Sequence, residues 1–289
     1  MILRKNTLLL LSLFAGALLL LSACSPAGSA TSSSLTPLQV LQNSGSAMQK
    51  LKTVHIELQS NSGVQTEGAS NGKAAPANYT ANITGSGDVI LPDQEQLKLT
   101  VNQNTHIAQV LQGNNVYIQN ARGQWYVLDR SRYQGLVGNP FAGVTIDQKS
   151  LLGLVSHATI TDHGIEALNG QNLRHITADL DKDAVRAMFN ENPQLKSLVG
   201  QQNIDEVLNR TKSFKSTADV WIDESQFYLH RTALKLNLVA DTSGIQGSAS
   251  SSLTANLDTT VDLSKFNDPV TITPPTNATP TDNPGNILG

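Results

Sequence analysis

From Leu253 to Leu263 the chain alternates, with Leu253, Ala255, Leu257, Val261 and Leu263 on one side and Thr254, Asn256, Asp258, Thr260 and Asp262 on the other. Successive side chains of an extended strand point to opposite faces, so this pattern predicts a long strand with one dry and one wet face. The same period recurs at Val54, Ile56 and Leu58, at Leu97, Leu99 and Val101, at Ala218, Val220 and Ile222, and through Thr232, Leu234, Leu236 and Leu238. Asn114-Asn115 and Arg122-Gly123 sit where hairpin turns would join 107–111, 116–118 and 125–128, and Asp223-Glu224-Ser225-Gln226 is a further turn signal. Half-wet strands need a cover for the dry face. Cys24 is the only cysteine, so packing rather than disulfides must supply it.

Helical spacing appears in two places. Thr36 as N-cap with Pro37 at the first helical position predicts a helix over 37–51, its apolar stripe made by Leu38, Leu41, Met48 and Leu51. Between the early and late strands, the clusters Leu151-Leu152 and Leu154-Val155, Val185 with Met188-Phe189, Leu195 with Leu198-Val199, and Ile204 with Val207-Leu208 predict short helices over 148–155, 181–190, 193–200 and 203–210. Asp181 and Asn203 are suitable N-caps. No Pro/Gly/Ser linker separates the strand groups, so the pattern favours one α+β domain with helices inserted in a large antiparallel sheet.

The ends of the chain read differently. Arg4 and Lys5 precede an apolar run from Leu8 to Leu21, about two-thirds of the roughly 20 residues a spanning helix needs, and Leu21-Ser22-Ala23-Cys24 follows. This predicts a lipoprotein signal peptide over 1–23, with diacylglycerol carried on the Cys24 thiol. Two acyl chains give stable attachment where one is marginal. Small polar residues over 24–35 predict a flexible tether, 36–273 the folded domain, and the Pro/Asn/Thr-rich 274–289 a disordered tail. The expected location is the extracytoplasmic face of the cell membrane. A net charge of -3 and 15% charged residues, against a typical ~25%, provide no basic field for nucleic acid.

Catalytic and metal motifs fail on context. Gly68-Ala69-Ser70-Asn71-Gly72 matches the nucleophile elbow of hydrolases but lacks the preceding buried strand and following helix that would strain Ser70 outward. Asp179, Asp181 and Asp183 open like a calcium loop, yet Ala184 and Asn190 stand where it needs glycine and a bidentate glutamate; acidic residues at a helix N-terminus explain them. His55, His106, His157, His163, His175 and His230 are scattered without i, i+4 pairing. The reading is a non-enzyme without metal or cofactor. The clustered leucines and valines of the helical stretch fit two arrangements equally: a filled core, or a wall around a cavity for acyl chains.

Several segments together resemble the LppX/LprG family of bacterial lipoproteins, related in fold to the LolA and LolB lipoprotein carriers. They are Cys24 with the residues before it, Leu51-Lys52-Thr53-Val54-His55, Gly87 to Pro92, Trp125-Tyr126, Asn139-Pro140, Gly164 to Gly170, Val220-Trp221-Ile222-Asp223, and Phe266 to Ile272. The resemblance implies a strongly bent antiparallel sheet, a half-barrel, with short helices on its concave side enclosing a hydrophobic cavity. It implies a protein that binds acylated lipids or lipoglycans and helps move them through the cell envelope, with an envelope lipid exporter as a further partner. Joined to the apolar spacing, it places Leu151, Leu154, Val185, Met188, Phe189, Leu198 and Leu208 at the cavity. The alternative is an envelope sensor or interaction module of the same fold that binds a protein partner.

Overall fold

In the computed structural model, residues 33–68, 78–132, 158–191, 204–243 and 251–282 are described. Thr36 caps α1 (Pro37–Met48) through a capping box: its hydroxyl accepts from Gln39 N, and the Gln39 side chain accepts from Thr36 N. The helix ends before Leu51, which is buried in the core at the start of the first strand.

Eleven antiparallel strands follow: β1 (Thr53–Glu67), β2 (Asn78–Ile90), β3 (Gln94–Val101), β4 (Thr105–Gln112), β5 (Asn115–Gln119), β6 (Trp125–Asp129), β7 (Ala158–Leu168), β8 (Gln171–Leu180), β9 (Thr211–Ile222), β10 (Leu229–Asp241) and β11 (Ser252–Ser264). Among the described residues, two further helices, α2 (Lys182–Glu191) and α3 (Ile204–Asn209), lie between β8 and β9. The spatial order β6-β5-β4-β3-β2-β1-β11-β10-β9-β8-β7 is two meanders joined where β1 pairs with β11. The result is an open, curled sheet with a few short helices, an α+β fold.

Register carries the alternation of each strand across to its neighbour. Ile56 lies opposite Leu263 and Gly87, Leu58 opposite Val261 and Gly85, and these glycines opposite Leu97 and Leu99. One face therefore collects the apolar residues, and we call it the inner face. Near its middle, β3 leans closely over β2. A Cβ on Gly87 would come within 2.0 Å of the Gln96 carbonyl oxygen, and one on Gly85 within 2.4 Å of Leu99 Cδ2. Only glycine permits that approach.

Local turn chemistry agrees with the topology. Asn169 (φ 51°) and Gly170 (φ 79°) make the two-residue β7–β8 turn that the right-handed twist of the strands favours. The β4–β5 turn falls on Gly113-Asn114, one residue earlier than the Asn114-Asn115 signal, because Gly113 takes the left-handed conformation (φ 57°). Asp181, inside the aspartate triplet, accepts from Ala184 N at 2.7 Å and caps α2. Asn203 and the helices predicted over 148–155 and 193–200 lie outside the described residues.

Past Thr273 the composition predicts no structure, yet β12 (Thr279–Pro280) pairs in parallel with β6, and Thr281 N donates to Val127 O at 2.9 Å. Edge pairing uses backbone groups, so it does not need the apolar side chains that this segment lacks.

Candidate functional site

The inner face is organised by its covers. At the end of the sheet where β1 begins, Val40 and Leu41 of α1 pack on Ile176 and Ile222 of β8 and β9. Beside them Leu51, Val54, Ile56, Leu58, Leu97, Leu99, Val261 and Leu263 form one cluster. At the opposite end, α2 and α3 press Val185, Val207 and Leu208 onto Leu180, Leu238 and Ala240. Between these ends β1 presents Ser60, opposite Ile83 and with its hydroxyl 2.8 Å from that of Thr259, then Ser62 opposite Ala81. Beyond them Val64 and Tyr79, opposite each other on the same face, remain 37% and 60% exposed. The apolar face thus runs past the cover that the described helices give it.

Of the residues placed at a cavity from the sequence, the structure brings Val185 and Leu208 together, 2% and 1% exposed in one packed cluster. Leu151, Leu154 and Leu198 lie outside the described residues, as do the side chains of Met188 and Phe189. Cys24 and Ser70 are outside them too.

Two polar groups on the inner face escaped the sequence reading. Glu95, in phase with Leu97 and Leu99, is 5% exposed, and its Oε1 accepts from Gln109 Nε2 at 3.1 Å. Burial pushes its carboxyl up to about 7, against the opposing pulls of Gln109 and Arg130. Arg174, in phase with Ile176 and Leu180, is 3% exposed. Its guanidinium lies 2.6 Å from both Asp162 and Glu224, and its Nη2 donates to the Leu35 carbonyl at 2.9 Å. Glu224 in turn accepts from Ser33 N and Ser33 Oγ, each at 2.7 Å. These bonds outweigh desolvation and hold the Asp162 and Glu224 carboxyls below their ordinary range. In both cases the available signal was a charged residue at an inward-facing position of a period-two strand.

The outer face carries a ladder in register. His175 stacks between His163 and Trp221, with ring centroids 4.4 and 4.3 Å away. Arg231, opposite Trp221, pairs with Asp262 at 2.5 and 2.8 Å, and Asp262 lies opposite Glu57. His175 Nε2 is 3.0 Å from Asp219; its Nδ1 is 3.0 Å from Glu166 but off the line of a hydrogen bond. Next to the ladder, Glu57, Gln59, Thr84, Ser86, Lys98 and Asp262 line a shallow polar hollow of about 350 Å³. The stacked rings turn their faces to each other, so the ladder is cross-strand packing. Among the described residues, no three His, Cys, Asp or Glu side chains converge as metal ligands. No described helix is long and apolar enough to cross a membrane.

No protein-family model and no curated protein matches the chain. Among solved structures it is similar to the lipoprotein LppX of Mycobacterium tuberculosis, with 17% identity over 82% of this chain and 97% of that one and a TM-score of 0.46. LprF of Mycobacterium bovis is 17% identical over 82% and 96% of the two chains, with a TM-score of 0.43. A putative outer membrane lipoprotein-sorting protein domain of Vibrio parahaemolyticus is 10% identical over 81% and 93%, with a TM-score of 0.25.

Proposed function

We propose that this protein is a lipid-anchored carrier at the extracytoplasmic face of the cell membrane, which shields the acyl chains of a lipid or lipoglycan against the inner face of its sheet. The observation that carries this reading is the mismatch between that face and its cover. Large apolar residues fill its two ends, the small Ser60, Ser62 and Ala81 stand between them beside Ile83, and Val64 and Tyr79 stay exposed. Removing a 16-carbon chain from a bilayer costs on the order of 12 kcal/mol at the per-methylene value, so a carrier must offer an equivalent dry surface. The inner face is of that kind. Cys24, with its diacylglyceryl group, is the anchor in this reading, and an envelope lipid exporter would hand cargo to the protein or take it away.

Native mass spectrometry of the full chain, extracted gently from membranes, tests this. A mass increment that matches an acylated lipid beyond the Cys24 modification is expected, and its loss in Val64→Asp or Tyr79→Ser with unchanged melting temperature would locate the lipid on the inner face. A folded wild-type protein without lipid would overturn the carrier reading in favour of the interaction module.

A further inference from the structure

The buried Arg174 site fixes where the polypeptide leaves the fold. Ser33 and Leu35, the residues just ahead of α1, are tied through Glu224 and Arg174 to the end of the sheet where β1 begins. Leu35 also packs with Val40, Leu41, Ile176 and Ile222. From Cys24 to Ser33 is nine residues, which span at most about 31 Å however they are arranged. β1 has 15 residues and is therefore roughly 50 Å long. An anchored chain is too short to let the molecule turn over and touch the bilayer with its α2–α3 end alone.

Resting on the lipoprotein reading, we propose that the α1 end of the sheet is a bilayer-docking surface that the Arg174 clamp and the short Cys24–Ser33 span hold against lipid headgroups. The exposed side chains there suit that partner. Leu38, on the first turn of α1 beside the clamp, is 40% exposed, and Lys50, Lys52 and Lys265 stand free in solvent around the start of β1 and the end of β11. Asp93 and Asp268 share this end, so the span of the tether rather than net charge selects it.

The test uses the full-length acylated protein in phosphatidylcholine vesicles that contain a nitroxide-labelled lipid. Because acylation blocks the only native thiol, Lys52→Cys and Gln65→Cys each give a single site for a fluorophore, one at each end of β1. Several-fold stronger quenching at position 52 than at 65 is expected. Inserting about 20 Gly/Ser residues between Ser29 and Ala30, which raises the root-mean-square reach to roughly 30 Å and the limit far beyond it, should erase the difference without changing the fold. Equal quenching at both sites in the wild-type chain, as for a sheet lying flat, would overturn the proposal while leaving the anchor intact. A chain that does not associate with vesicles would remove the anchor reading and this one with it.

Discussion

Glu95 shows how much a single position can decide. Its carboxyl sits at about 7 in the folded protein against an ordinary 4.5, so the native state holds a proton that the unfolded chain has released. Stability is therefore greatest below about pH 4.5 as far as this group is concerned, and falls as pH rises through 7, by about 3 kcal/mol across the interval. Urea denaturation at pH 5 and pH 8 should show that decline in the wild type and a flatter profile in Glu95→Gln, whose amide oxygen can still accept from Gln109. Gly87 is decided by space instead. Gly87→Ala drives a methyl into the Gln96 carbonyl and should cost about 1–3 kcal/mol or more, measurable as a lowered denaturation midpoint. Neither effect was legible beforehand: alternation marks position 95 as inward without saying that the inside would accept a carboxylate, and a glycine in a strand does not announce which neighbour leans on it.

At the scale of elements, strands and caps were readable and limits were less so. The alternation at 54–58, 97–101, 218–222, 232–238 and 253–263 became strands, and the Thr36 cap and the 181–190 helix took their places, because period and capping are local physics. What local pattern could not supply was pairing order. That β1 lies beside β11 follows from how the two meanders share one apolar face, a property of no single segment. Nor could helical spacing tell a filled cluster from a wall, since both bury one stripe. Val185 now permits a sharper statement: at 2% exposure among Leu180, Val207 and Leu208, Val185→Trp should overpack and cost roughly 1–3 kcal/mol. The clamp at the other end has its own consequence. Arg174→Met would leave Asp162 and Glu224 without their cation, and a loss of about 3–5 kcal/mol in chemical denaturation is the expected result.

At the scale of the whole molecule, the lipoprotein reading makes anchor and fold separable. Cys24→Ala should abolish incorporation of radiolabelled palmitate and release the protein from membranes, while the melting temperature of the domain stays within a degree or two of wild type, because the described core makes its contacts from residue 35 onward. Palmitate incorporation that persisted in the variant would refute the lipoprotein reading. Unlike a closed barrel, an open sheet has two edges that could recruit further strands, and this one blunts both. On one side β12 lies along β6, and Pro280 has no amide hydrogen to offer an incoming chain. On the other, β7 breaks register at a bulge between Asp162 and Gly164, where Gly164 takes φ 77°. A bare, straight edge would otherwise be a template for pairing with a neighbouring copy. The short parallel strand thus lies along β6 where a second copy would otherwise pair, and the sheet stays open without being open to its own kind.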